Sequence, residues 1–178
     1  MVTLPRPWAL CPASALAAVA GVFTDIDDTL TRHGAIEPAA LSALQALAAA
    51  GVPVVAITGR PLGWSEPFAR DWPLAAIVPE NGAVALIRDG AAVITEYAQD
   101  EATRAHNAKR LQAVAARWIY VGDSTNDQTM FGHFALSVGV ANLRDFAAQL
   151  QTWPAFITDG ERGDGFAEVA ARIIEARR

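Results

Sequence analysis

A chain of 178 residues suits one domain, or one domain with a small appendage. Folding at that length buries about 70% of the surface the unfolded chain exposes, so a core forms without staples. Apolar residues make up 52%, charged residues 19%, and the formal net charge is −5. That balance argues against general nucleic-acid binding, which leaves a basic footprint. It leaves room for an anionic substrate, because a bound cation can supply local positive charge. The single cysteine, Cys11, excludes an internal disulfide and a multi-cysteine zinc cluster and fits a reducing cytoplasm. No run of 18 or more apolar residues is present, so no membrane span is expected. Oligomeric state is not readable from composition.

In chain order, Arg6 precedes an Ala/Leu-rich run ending in Ala18-Val19-Ala20, which has some features of a leader. Pro7 and Pro12 interrupt the run, and a cut there would fall just before the most informative segment, so the run is read as part of the fold, with Trp8 packing on the core. Residues 21–26 form a short apolar run that reads as a buried strand. Leu41, Leu44, Leu47 and Ala48 recur at helical spacing; Pro38 suits the first turn and Gly51 the position after the last, predicting a helix over 38–50. Residues 52–57 and 74–78 are further buried-strand candidates. Val84 to Ile87 and Ala91 to Ile94 flank Asp89-Gly90, a hairpin signal. A helix is expected over 101–116, strands over 118–121, 135–140 and 156–158, and a helix start near Thr125. Phe166, Val169, Ala170, Ile173 and Ile174 mark a C-terminal amphipathic helix. Alternating strands and helices predict an α/β fold with a mostly parallel sheet covered on both faces. In such sheets ligands bind beyond the carboxyl ends of the strands.

Three predicted strands end in polar clusters. Asp25-Ile26-Asp27-Asp28-Thr29 sets three carboxylates in four residues, a repulsive group unless a cation sits among them. Mg²⁺ takes oxygen ligands, often one or two carboxylates plus substrate phosphate. The alternative is an acidic turn that caps the next helix. Thr58-Gly59-Arg60 offers a hydroxyl and free backbone N–H groups to an anion, or is simply a turn. Gly122-Asp123-Ser124-Thr125-Asn126-Asp127 places two acids four residues apart at a strand-to-helix junction, facing one point or capping the helix.

Taken together, Phe-Thr-Asp-Ile-Asp-Asp-Thr-Leu-Thr, Ile-Thr-Gly-Arg-Pro and Val-Gly-Asp-Ser-Thr-Asn-Asp resemble the haloacid-dehalogenase (HAD) superfamily over nearly the whole chain. With Pro-Glu-Asn-Gly-Ala at 79–83, the wording resembles the IIB branch that includes sucrose-, trehalose- and mannosyl-3-phosphoglycerate phosphatases. The resemblance implies a three-layer Rossmann-like core and a Mg²⁺-dependent phosphatase acting on a small phosphorylated molecule such as a sugar phosphate. It implies Asp25 as nucleophile and Asp27 as general acid/base, with Thr58 and Gly59 holding the phosphoryl group. Mg²⁺ would be held by Asp25, Asp123 and the main-chain carbonyl of Asp27, with Asp127 binding it or orienting its water and Asn126 in support.

Two features depart from that pattern. The only lysine, Lys109, lies close upstream of Asp123 for the family's phosphate-binding lysine, and Arg60 and Arg104 are substitutes without a motif behind them. The branch normally inserts a sizeable cap, whereas here residues 84–116 offer one hairpin and one helix. The expected division is core over 1–83, reduced cap over 84–116 and core over 117–178. Either the cap is minimal, or an internal segment is missing near residues 116–118. A mutase-like phosphotransferase and a catalytically impaired binding module are the alternative functions. His33, His106 and His133 show no ligand spacing. Trp64, Phe68 and Trp72 are packing residues or a sugar-site lining, and the Gly160–Gly165 stretch reads as a solvated loop.

Overall fold

The computed structural model describes residues 4–97 and 114–178. Its centre is a sheet with nine strands among the described residues. In chain order these are β1 (Arg6–Pro7), β2 (Gly21–Thr24), β5 (Val54–Ile57), β6 (Ala76–Val78), β7 (Val84–Asp89), β8 (Ala92–Tyr97), β9 (Trp118–Gly122), β10 (Leu136–Gly139) and β11 (Phe156–Ile157). Two short strands, β3 (Thr31–Arg32) and β4 (Ala35–Ile36), pair separately. The spatial order is β1-β11-β10-β9-β2-β5-β6-β7-β8. All pairings are parallel from β1 to β6, and β7 and β8 then add antiparallel.

Period-two alternation divides the strand side chains between two cores. Val22, Val54, Ala56, Ile119, Val121 and Val138 face one cluster. Phe23, Ile57, Trp118 and Tyr120 face the other. The first is covered by α1 (Ala13–Ala17), α2 (Pro38–Ala49) and α5 (Arg162–Glu175), through residues such as Leu16, Leu44, Leu47, Phe166, Val169 and Ile173. The second is covered by α4 (Gln128–His133) and the 3₁₀ turn over Ala141–Phe146, through Phe131 and Leu143, with Leu150 from the segment beyond the turn. The result is the expected three-layer α/β sandwich, with the helix over 38–49 ending before Gly51 at φ +68°.

The Ala/Leu-rich N-terminal run packs on the core, as the sequence reading expects, while other elements differ from it. Trp8 is buried edge-on against Phe156, and Arg172 donates to the carbonyls of Trp8 and Cys11. Residues Leu62–Asp71 form a helix, α3, despite Pro67 inside it. The hairpin of β7 and β8 extends the main sheet through β6 rather than standing apart from it. Most of the helix expected over 101–116 lies outside the described residues.

Candidate active site

Parallel pairing brings the carboxyl ends of β2, β5, β9 and β10 to one edge. Thr24 is in register with Ala56 and Val121, and Gly139 with Gly122. The residue after each of the first three strands is therefore Asp25, Thr58 or Asp123, which converge at that edge. The Asp25 amide donates to the Val121 carbonyl (2.9 Å), and the Thr58 amide to Val78 (3.0 Å), which fixes both backbones.

Asp123 is buried and Asp25 half-buried, and neither has an ion-pair partner among the described residues. Burial, then the charges of Asp127 and Asp123, push the Asp25 carboxyl up to about 9. Burial, then Asp127 and Asp28, push Asp123 up to about 7. One buried and one half-buried acid, both with raised proton affinity and no base between them, fit a hard divalent cation, which would restore both to carboxylates. Among the described residues no three acidic, histidine or cysteine side chains converge as a metal cluster. The fit is to two carboxylates supplemented by main-chain oxygen.

The other two acids are already engaged. Asp27 accepts from Arg60 through both oxygens, Nε at 2.9 Å and Nη2 at 2.8 Å. Arg60 in turn lies over the Trp64 ring at 4.5 Å. Phe68 meets Trp64 edge-on at 4.5 Å between centroids and stacks on Trp72 at 4.4 Å, so these aromatics are a ladder supporting Arg60. The Arg60 carbonyl accepts from the Glu80 amide, and Glu80 Oε1 accepts from the Leu62 amide, which clips the 79–82 loop to the Thr58 loop.

Asp127 is buried, and its carboxylate receives the Tyr120 hydroxyl on Oδ1 and the Asp123 and Ser124 amides, both at 2.9 Å, on Oδ2. The Ser124 hydroxyl adds a longer contact at 3.4 Å. This is a capping box around the 3₁₀ turn Thr125–Asp127. Gly122 makes it possible, since a Cβ there would lie 2.4 Å from the Asp127 carboxyl carbon. The expectation that Asp127 binds metal directly is therefore not matched by its geometry: both oxygens are spent on protein donors. Its place is behind Asp123, whose amide it holds. Asn126 is exposed, whereas Asn142, which the sequence reading passed over, is buried against Asp123.

Thr58 is buried, and its hydroxyl accepts from the Arg60 amide at 3.1 Å, leaving its proton free to donate. Gly59 is exposed at the rim. Arg162, read as part of a solvated loop, instead reaches across to the site and donates to Asp28 Oδ1 at 2.9 Å. Lys109, Arg104 and His106 lie outside the described residues.

The sequence model of haloacid dehalogenase-like hydrolases matches residues 22–106, a span that includes Asp25, Asp27 and Thr58. That stretch of the chain is similar to haloacid dehalogenase-like hydrolases. The same HAD fold recurs in a hypothetical protein of Xanthomonas campestris, 19% identical, with a TM-score of 0.66 over 98% of this chain and 93% of that one. It recurs in a HAD subfamily IIIA hydrolase of Legionella pneumophila, 16% identical, with a TM-score of 0.64 over 93% and 87%. A third is the 3-deoxy-D-manno-octulosonate 8-phosphate phosphatase of Moraxella catarrhalis, solved with magnesium, phosphate and the KDO sugar. It is 17% identical, with a TM-score of 0.64 over 93% and 91%. No curated protein matches the chain by sequence.

Proposed function

We propose that this chain is a HAD-type phosphatase that hydrolyses a phosphomonoester of a small molecule, with a sugar phosphate as the substrate class. The observation that carries the proposal is the meeting of the half-buried Asp25 and the buried Asp123, neither ion-paired among the described residues, with the Thr58 hydroxyl, whose proton is free, at one strand edge. Asp25 Oδ attacks phosphorus, the bond to the leaving alkoxide breaks, and an aspartyl-phosphate forms. Asp27 gives its proton to the alkoxide, then takes one from the water that splits the acyl phosphate. Asp27 is bound to Arg60 in the resting site, so substrate entry must part that pair before proton transfer. Thr58 donates to a phosphoryl oxygen, and the Gly59 backbone, with no side chain over it, leaves the approach open.

Mg²⁺ is the proposed cofactor, and it would supply charge neutralisation between nucleophile and phosphoryl oxygens. Asp25, Asp123 and the main-chain carbonyl of Asp27 would hold it, with Asp127 acting through the backbone of Asp123. Lys109 remains the proposed lysine of the phosphate site.

The reading also covers organisation. We divide the chain as a core over 1–83 and 117–178, with 84–116 as a minimal insert. The match of over nine-tenths of this chain to neighbours of similar length supports that reading over a missing internal segment. The IIB sugar-phosphatase branch suggested by the motif wording has less support than subfamily IIIA, to which one structural neighbour is assigned. Cytoplasmic placement rests on the single, buried cysteine. No described helix is long and apolar enough to cross a membrane.

The test is phosphate release from an aryl phosphate with Mg²⁺, with chelator, and with Asp25→Asn. Turnover that needs Mg²⁺ and Asp25 supports the proposal. Turnover that survives Asp25→Asn defeats it.

A further inference from the structure

We propose that Asn142 is a positioning residue for the metal-facing carboxylate of Asp123, locking it to the loop that carries Asp25 and Asp27; this rests on the metal-dependent reading above. Asn142 lies just past the carboxyl end of β10, in the 3₁₀ turn Ala141–Phe146, and is 5% exposed. Its side chain can donate twice and accept, and it does all three. Nδ2 donates to Asp123 Oδ2 and to the Asp28 carbonyl, both at 3.1 Å. Oδ1 accepts the Arg162 amide at 3.0 Å.

One amide thus joins three separate segments: the loop after β2, the end of β9 and the start of α5. The ring closes through a fourth contact, Arg162 Nε to Asp28 Oδ1. Both partners of that contact are in the left-handed region, Asp28 at φ +55° and Arg162 at φ +48°. Such conformations persist in non-glycine residues only where surrounding contacts impose them. Here the contacts on their peptide groups come from Asn142, at the Asp28 carbonyl and the Arg162 amide.

The consequence for Asp123 is specific. Thr29 Oγ1 reaches Oδ1 only at 3.5 Å, so Asn142 is the closer restraint on the rotation of the carboxylate. One lone pair of Oδ2 is used, and the remaining acceptor capacity points away from Asn142. The pairing of β2 with β9 sets the spacing of the two strand ends, and this one amide ties the Asp123 carboxylate to the Asp25–Asp28 loop within it. Partners that orient a metal-binding carboxylate in this way are typically worth about 10–100-fold in metal affinity or activity.

The experiment is calorimetric titration of the full chain with Mg²⁺ alone, without substrate, alongside denaturant unfolding. Asn142→Ala is compared with Ser137→Ala, which removes two buried hydrogen bonds of β10 away from the site. Asn142→Ser, which keeps one donor, is the milder variant should Asn142→Ala not fold. The proposal expects Mg²⁺ affinity about 10–100-fold lower in Asn142→Ala, an intermediate loss in Asn142→Ser, and wild-type affinity in Ser137→Ala at a comparable loss of stability. Wild-type affinity in both Asn142 variants overturns it and leaves Asn142 a fold residue. If the wild-type chain itself takes no Mg²⁺, the metal reading falls first, and this inference with it.

Discussion

Replacing Asp127 by Asn and by Ala should give losses of different size, and the contrast tests its role behind Asp123. In Asp127→Ala the Tyr120 hydroxyl and the amides of Asp123 and Ser124 lose their acceptor together. A buried donor left without a partner costs about 1–3 kcal/mol. Water reaches the half-buried Ser124, and removing a buried charge returns part of the loss. The net expectation is a loss of about 2–5 kcal/mol by the same per-donor cost. In Asp127→Asn the remaining oxygen can still receive both amides, and the new NH₂ faces the Tyr120 oxygen, whose hydroxyl rotates to accept. One buried donor, the Tyr120 proton, then loses its acceptor instead of three, so the loss should be about 1–3 kcal/mol and smaller than in Asp127→Ala.

The two side chains also differ in charge, which has a pH signature. Asp127 is the largest charged contributor to the raised proton affinity of both Asp25 and Asp123. Both acids bind protons more tightly folded than unfolded, so between their ordinary value of 3.8 and about 9 the metal-free fold holds protons that the unfolded chain has released. Stability without metal therefore falls as pH rises through that window, and is greatest below it. Mg²⁺ competes with those protons, so its stabilising effect grows with pH. Asp127→Asn should move its onset to lower pH. Urea unfolding between pH 5 and 9, with chelator and with Mg²⁺, reads both effects. An Asp127→Asn chain that no longer responds to Mg²⁺, as expected for Asp123→Asn, would refute this reasoning and make Asp127 a ligand.

Arg60→Ala breaks a half-exposed ion pair with Asp27, so unfolding should shift by less than about 1 kcal/mol; a larger loss would mean the aromatic ladder depends on Arg60. Gly122→Ala drives a methyl group to 2.4 Å from the Asp127 carboxyl carbon, and should cost about 1–3 kcal/mol or more in denaturant unfolding. Wild-type stability there would contradict the packing of Asp127 over Gly122. Trp8→Ala should cost about 3–5 kcal/mol, because Trp8 is buried against Phe156 and α5; a change under about 1 kcal/mol would show the N-terminal segment to be dispensable.

The strand ends were legible because chemistry and topology agree there. Short apolar runs ending in Asp25, Thr58 and Asp123 become adjacent only if the strands are parallel, which the alternation of helices implies. The partners of those acids were harder to read. Asp27 and Asp127 look alike as isolated carboxylates in sequence, yet one is held by Arg60 and the other by Tyr120 and two amides. Such pairings join residues far apart in the chain and leave no periodic trace. Asn142 did carry a signal: it follows the strand over 136–139 at the same edge, and reading only acids and hydroxyls there passed over it. The helix over 62–71 is a different case: a proline inside it argues against a helix, while Trp64, Phe68 and Trp72 recur at the fourth-residue spacing of the helical face the fold contains.

The central claim is that Asp25 carries the phosphoryl group during turnover. Acid quenching of the protein during steady turnover of an aryl phosphate with Mg²⁺, followed by rapid digestion and mass spectrometry, addresses it directly. The account predicts one phosphoryl group on the peptide containing Asp25, more of it in Asp27→Asn, where water is no longer activated, and none in Asp25→Asn. Turnover with no phosphoryl group on Asp25 in either wild type or Asp27→Asn would contradict the account.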